Sequence, residues 1–191
     1  MLKSAHFHVH TENNPGRRSP SGGPILLIGF MGAGKSSVGR LLARELGCDV
    51  RDLDIMVELR AGKPVAELFR TLGEPAFRKL ESEALEEVLS GEAVCIVALG
   101  GGAFIQAANR ERIARSTGRV VFLEVDFEEA LRRIGPTLST RPLAANRELL
   151  EELFRQRAAV YAQAHFCADT TGRTVADVVA QLTAWVREQD R

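Results

Sequence analysis

Ile25-Leu26-Leu27-Ile28-Gly29-Phe30-Met31-Gly32-Ala33-Gly34-Lys35-Ser36-Ser37-Val38 is the stretch that decides how this chain is read. Its four leading apolar residues predict a short buried strand, and the spacing of Val38, Leu41, Leu42 and Leu46 predicts a helix from Lys35 to Leu46. Between them, Gly29 to Ser36 fits G-x-x-x-x-G-K-[ST], in the strand–loop–helix setting that this motif requires. Glycines let successive backbone N–H groups turn inward toward phosphate oxygens. The helix behind them directs its positive N-terminal end at the same anion. Lys35 can reach the β- and γ-phosphates, and the Ser36 hydroxyl suits Mg²⁺, which takes oxygen ligands. The alternative, a plain glycine turn before a helix, leaves the spacing unexplained. The loop implies nucleotide binding without choosing a reaction, because ATPases, GTPases and small-molecule kinases share it.

Outward from this loop, strand-like and helix-like stretches alternate. Gly47 stops the first helix. Asp49 to Leu53 reads as a strand, 54–61 and 64–72 as two short helices parted by Gly62-Lys63-Pro64, and Glu74 to Leu89 as a longer helix. Val94 to Leu99 is a continuous apolar run, the mark of a parallel strand covered on both faces. Residues 107–116 read as helix and Val120 to Val125 as strand, after which Asp126 is expected to cap a helix running to Ile134. Gly135 to Asn146 is polar and turn-rich. A helix from Arg147 to Ala164, a strand from His165 to Ala168 and a helix from Thr174 to Glu188 complete the series. The rhythm predicts a single α/β domain with a parallel sheet wrapped by helices. Residues 1–23 carry turn and linker chemistry and are expected to form a disordered N-terminal extension to a domain at 24–191. His6, His8 and His10 alternate within it, but they are not read as a functional metal site.

Composition narrows the partners. Twenty-five Lys and Arg balance 25 Asp and Glu, so no basic field draws nucleic acid or a membrane surface, and an anionic ligand must be held by local groups. No apolar run approaches the ~20 residues that span a bilayer, and the N-terminus has no apolar signal region. Cys48, Cys95 and Cys167 have no metal-ligand spacing and are read as buried reduced thiols of a cytoplasmic protein.

Five further patterns carry chemistry. Asp52-Leu53-Asp54 follows the second strand, whose carboxyl end faces the ligand crevice of a parallel sheet. One carboxylate there can orient Mg²⁺ and the other accept a hydrogen bond from an attacking alcohol, or either can simply cap the next helix. Phe77-Arg78-Lys79-Leu80-Glu81 puts Arg78 and Glu81 on one helix face, where spacing alone favours a solvated surface pair. Gly100-Gly101-Gly102 at a strand end allows a ligand close to the backbone. Arg141-Pro142-Leu143 sits in a polar segment able to close over a nucleotide. Arg157 and Tyr161, four apart, read either as a surface arginine beside a core aromatic or as part of a site.

In this order, the P-loop, D-x-D, F-R-x-x-E, G-G-G, R-P-L and R-x-x-x-Y patterns resemble the shikimate kinase family, from Ile25 to about Val179. The resemblance implies a P-loop kinase fold: three αβα layers, a five-stranded parallel sheet in order 2-3-1-4-5, and a short lid at about 134–146. It implies ATP-dependent phosphorylation of the 3-hydroxyl of shikimate, giving shikimate 3-phosphate and ADP in aromatic amino acid biosynthesis. Gly32, Ala33, Gly34, Lys35, Ser36 and Ser37 would hold ATP, with Arg133 and Arg141 on its phosphates and Arg173 near the adenine. Ser36 and Asp52 would serve Mg²⁺. Asp54, Arg78, Gly101, Gly102 and Arg157 would hold shikimate, and Lys35, Asp54 and Arg141 would be catalytic. Two arginines and an aspartate suit an acid that carries hydroxyls. A cytoplasmic monomer with no nucleic-acid or membrane partner is expected. Two rivals are a kinase for another small hydroxy acid and a non-catalytic domain of the same shape in a regulator. The latter would need a DNA-binding domain ahead of the P-loop, and only about two dozen polar residues precede it.

Overall fold

A computed structural model describes residues 23–91, 94–135 and 147–190. Residues 1–22 of the expected extension, with its three histidines, and Arg141 with most of the lid lie outside the described residues.

The chain runs β1 (Ile25–Ile28), α1 (Lys35–Leu46), β2 (Asp49–Asp52), α2 (Leu53–Ala61), α3 (Val65–Ser90), β3 (Val94–Ala98) and a short 3-10 turn (Ala103–Ile105). It continues through α4 (Ala107–Ala114), β4 (Arg119–Glu124), α5 (Phe127–Ile134), α6 (Arg147–Tyr161), β5 (Phe166–Asp169) and α7 (Val175–Gln189). All four strand pairings are parallel. The order across the sheet is β2-β3-β1-β4-β5, as the resemblance implied.

The alternation of side chains along a strand explains the three layers. On β1, Ile25 and Leu27 enter the core beneath α1 and α7, while Leu26 and Ile28 enter a second core beneath α2, α3 and α4. Strand β4 divides the same way, with Val121 and Leu123 on one side and Val120 and Phe122 on the other. Every strand pairing runs the same way, so all carboxyl ends open at one edge, where β1, β2 and β3 pass into the phosphate loop, the Asp52–Asp54 turn and the three glycines.

Helix α3 is two helices in series. Gly73 has φ 77° and ψ 168°, which breaks the helical path, and Pro75 follows where a second segment begins. The expected division near residue 73 is therefore real. Two local expectations fail. Asp126 occupies the N-cap position of α5, yet its side chain makes no capping bond. Its N–H instead donates to Thr171 Oγ1 at 3.0 Å. The thiols are also not uniformly buried and reduced: Cys48 is disulfide-bonded, and Cys167 is free and exposed on the edge strand β5.

Candidate active site

A cavity of about 740 Å³ opens along the carboxyl edge of the sheet. It is lined by every predicted site residue that lies within the described chain, from Gly32 at one end to Arg78 and Arg157 at the other.

At the phosphate loop, Gly32 and Gly34 have φ of 84° and 91°, a left-handed backbone that glycine alone adopts without strain. Gly34 is also the N-cap of α1. Lys35 Nζ donates to Gly29 O at 2.9 Å and to Phe30 O at 3.2 Å, so the ammonium lies folded along its own loop. Ser36 Oγ donates to Asp52 Oδ2 at 2.7 Å, while Asp52 Oδ1 accepts from the N–H of Asp54 at 3.2 Å. Asp52 thus caps α2, one of the roles open to it in sequence, and its other oxygen meets the phosphate-loop serine.

At the far end, Arg78 is gripped by two glutamates. Its Nη1 donates to Glu81 Oε2 at 2.8 Å, and its Nη2 and Nε donate to Glu74 Oε1 at 3.0 and 3.2 Å. The guanidinium carbon also lies 5.3 Å from the Phe77 ring centroid and 5.6 Å from that of Phe69, a cation–π geometry. Spacing alone favoured a solvated pair, but Glu81 is only 1% exposed and Arg78 19%. Helix α3 presses this face onto the sheet instead of offering it to water. Burial is the leading influence on Glu81 and pushes its carboxyl above the usual range, against the pull of Arg78. The same burial opposes the charge on Arg78, but its two glutamates outweigh it and its guanidinium is held more firmly protonated than usual. Gln106 Nε2 also donates to Glu81 Oε2, at 3.1 Å. Glu81 Oε1 has no hydrogen-bond partner.

The three glycines admit side chains to this corner. A Cβ on Gly100 would lie 2.5 Å from Asp54 Oδ1 and 2.6 Å from Glu81 Oε1. One on Gly101 would lie 2.9 Å from Arg157 Nη1, and one on Gly102 would overlap the Arg78 guanidinium. Space, not backbone angle, is what requires glycine here. Tyr161 is buried and donates its hydroxyl to Gly101 O at 2.6 Å. Burial pushes that phenol up to about 12, so it remains a donor. Arg157 lies 5.9 Å from the Phe30 ring centroid. Burial pulls its guanidinium pKa down, and neighbouring Arg78 adds to the effect. Two guanidiniums and Asp54 therefore converge on one corner, a set matched to an anion bearing hydroxyl groups.

At the opposite side, Arg133 spends its donors on protein groups. Its Nη1 reaches Gly32 O at 3.2 Å and Thr170 Oγ1 at 3.1 Å, and its Nη2 reaches Thr170 O at 2.6 Å. Arg173 is exposed at the start of α7 and donates to Gln181 Oε1 at 3.0 Å. Sequence reasoning did not single out Glu129 or Thr170. Glu129 stands three and four residues ahead of Arg132 and Arg133, a spacing that could have marked it. Thr170 had no sequence signal, since its contacts to Arg133 span 37 residues.

Residues 31–187 match the family model described as shikimate kinase. The chain belongs to the shikimate kinase family. A shikimate kinase of Geobacter metallireducens is 43% identical over 164 residues, covering 85% of this chain and 90% of the relative. One of Moorella thermoacetica is 43% identical over 170 residues, covering 86% and 96%. Among solved structures, the shikimate kinase of Acinetobacter baumannii in complex with shikimate superposes with a TM-score of 0.82 at 33% identity, covering 89% of this chain and 96% of that one.

Proposed function

We propose that this member of the shikimate kinase family transfers the γ-phosphoryl group of ATP to the 3-hydroxyl of shikimate. The observation that carries the reading is the single cavity that joins a phosphate loop at one end to Arg78, Arg157 and Asp54 at the other.

ATP would enter with its phosphates against the loop from Gly32 to Ser37 and the N-terminus of α1. Lys35 would leave its two carbonyl partners for the β- and γ-phosphates. Ser36 and Asp52 fit Mg²⁺, because a hydroxyl and a carboxylate 2.7 Å apart present hard oxygen donors beside the loop. Among the described residues no group of three His, Cys, Asp or Glu could hold a metal unaided, which suits an ion completed by substrate phosphates and water. Bound there, the ion would neutralise charge on the phosphate oxygens. Arg133 would brace the phosphate loop and Arg173 stand at the adenine end. Arg78 and Arg157 would grip the shikimate carboxylate, in the room left by Gly101 and Gly102. Asp54 would accept the proton of the attacking hydroxyl. Arg141, from the lid, would supply further positive charge and exclude water. No covalent intermediate is needed, since positioning and electrostatics carry in-line transfer.

The reading extends to a monomer in the cytoplasm that acts on small molecules, not on nucleic acid or membranes. Its zero net charge gives no overall field to draw nucleic acid or a membrane surface; no helix among the described residues is long and apolar enough to cross a membrane. The test is ADP release from MgATP with shikimate, gluconate or nucleoside monophosphates as acceptor. Turnover confined to shikimate, and lost in Asp54→Asn, supports the proposal. Folded, ATP-binding protein that is inert toward shikimate would sink it.

A further inference from the structure

Helix α5 holds an ion cluster of which the proposed transfer uses only Arg133. Glu129 Oε1 accepts from Arg132 Nη2 at 2.7 Å and from Arg133 Nε at 2.8 Å, and its Oε2 accepts from Arg132 Nε at 2.8 Å. One carboxylate thus serves two guanidiniums that stand three and four residues along the helix. The two arginines differ in setting. Arg132 is 72% exposed at the cavity mouth. Arg133 is mostly covered and crosses a seam, with Gly32 of the phosphate loop on one side and Thr170, just after β5, on the other. That seam has little slack: a Cβ on Gly32 would lie 2.8 Å from Ala130 O of α5. Thr170 is itself anchored, its N–H and hydroxyl both donating to Glu124 O at 2.8 Å.

We infer that Glu129 is a positioning residue for the nucleotide: it fixes Arg133 as the clip that holds the phosphate loop against the loop after β5. A flexible guanidinium bridging two loops is effective only if its own orientation is fixed. The Arg133 Nε bond to Glu129 fixes the plane of the fork, and the other donors then fall on Gly32 and Thr170. Without the carboxylate, Arg132 and Arg133 would be adjacent like charges on one helix, and the fork would turn toward solvent. The phosphate loop would keep its glycines and Lys35 but lose the brace on the Gly32 carbonyl. The acceptor corner, at the other end of the cavity, would be untouched.

The kinetic half of the test rests on the shikimate kinase reading, and the binding half does not. In full-length protein, Glu129→Gln is expected to weaken binding of a fluorescent ADP analogue about tenfold, the worth of one charge-assisted hydrogen bond. The KM for MgATP should rise by a similar factor while the KM for shikimate stays within about twofold, since that corner makes no contact with the cluster. Arg133→Lys keeps the charge but loses the fork, and should weaken ADP alike. Adding Glu129→Gln to Arg133→Lys should then change ADP affinity little, because both act through one clip. Unchanged ADP affinity in either folded single variant overturns the inference, as do additive losses in the double variant. Parallel rises in both KM values with a lower Tm would also overturn it, marking Glu129 as a general stabiliser. Wild-type protein that binds ADP but does not phosphorylate shikimate would sink the function reading alone, leaving the ADP arm to decide the inference. If Glu129→Gln does not fold, Arg133→Lys decides it.

Discussion

Glu81→Gln separates stability from function at the arginine corner. The wild-type carboxyl is 1% exposed, and burial holds it above the usual range even with Arg78 at 2.8 Å. Its folded-state pKa therefore exceeds its unfolded value, so the folded chain binds the proton more tightly. Stability from this group is present in full below the ordinary value of 4.5 and is lost as pH rises through the raised one. In its ionised form the carboxylate is a net cost to folding. Glutamine removes that cost and keeps an oxygen for Arg78 and Gln106. Its amide nitrogen also falls near Asp54 Oδ1, which shares the space beside Gly100. The expected stability change is within about 1 kcal/mol, less than roughly 4 °C in Tm for a domain of this size. Function should respond differently. The amide oxygen still accepts from the charged guanidinium but carries no opposite charge, so the grip on Arg78 weakens by an amount on the order of 1.4 kcal/mol. Glu74, at 64% exposure, then draws the guanidinium outward, and the KM for shikimate should rise about tenfold. Paired thermal melts and initial rates at pH 7.5 measure both. A melting point lowered by more than about 6 °C with an unchanged KM would refute the reasoning, because Glu81 would then be a structural pillar and not a holder of Arg78. In the wild type, melts between pH 4 and 7 should show a decline with rising pH that the variant lacks.

Gly102→Ala places a methyl group where the Arg78 guanidinium lies. Because Gly102 has an ordinary φ of −108°, the fold should survive while kcat/KM for shikimate falls about 10²-fold, read from initial rates. Lys35→Ala should lose about 10²–10³-fold in kcat through missing charge on the transferring group, with circular dichroism unchanged. Thr174→Ala removes the capping box that starts α7, in which the Thr174 hydroxyl accepts from the Asp177 N–H and the Asp177 carboxylate accepts from Thr174. It should cost about 1 kcal/mol, a fall of roughly 2–4 °C in a melting curve.

The parts of this architecture that depend on local pattern were legible in sequence. The phosphate loop, the alternation of strands and helices, and the break at Gly73 all follow from residues close to one another along the chain. The capping role open to Asp52 was legible too, and it is observed, since Asp52 caps α2. What sequence could not show was proximity across the fold. The three glycines read as room for a ligand, and sequence could not show that they also leave room for Asp54, Glu81, Arg157 and Arg78, which arrive from three helices. The Arg78–Glu81 spacing could not say which face of α3 meets the sheet, and burial changed the meaning of the pair. The bond from Arg133 to Gly32 spans 101 residues, beyond any motif. Asp126 has the right residue type for a cap, but its N–H is bound to Thr171 and its carboxylate makes no capping bond.

Strand β1 lies at the centre of the sheet and gives alternate side chains to both cores, each almost wholly buried. The phosphate loop therefore springs from the strand whose opening must disrupt both halves of the domain at once. Its supporting amides should be among the last to exchange with deuterium, in step with global unfolding, while edge strands β2 and β5 open on their own. A single four-residue segment thus couples the lifetime of the nucleotide platform to that of the whole fold, and a polar side chain introduced at Leu26 or Leu27 would shorten both together.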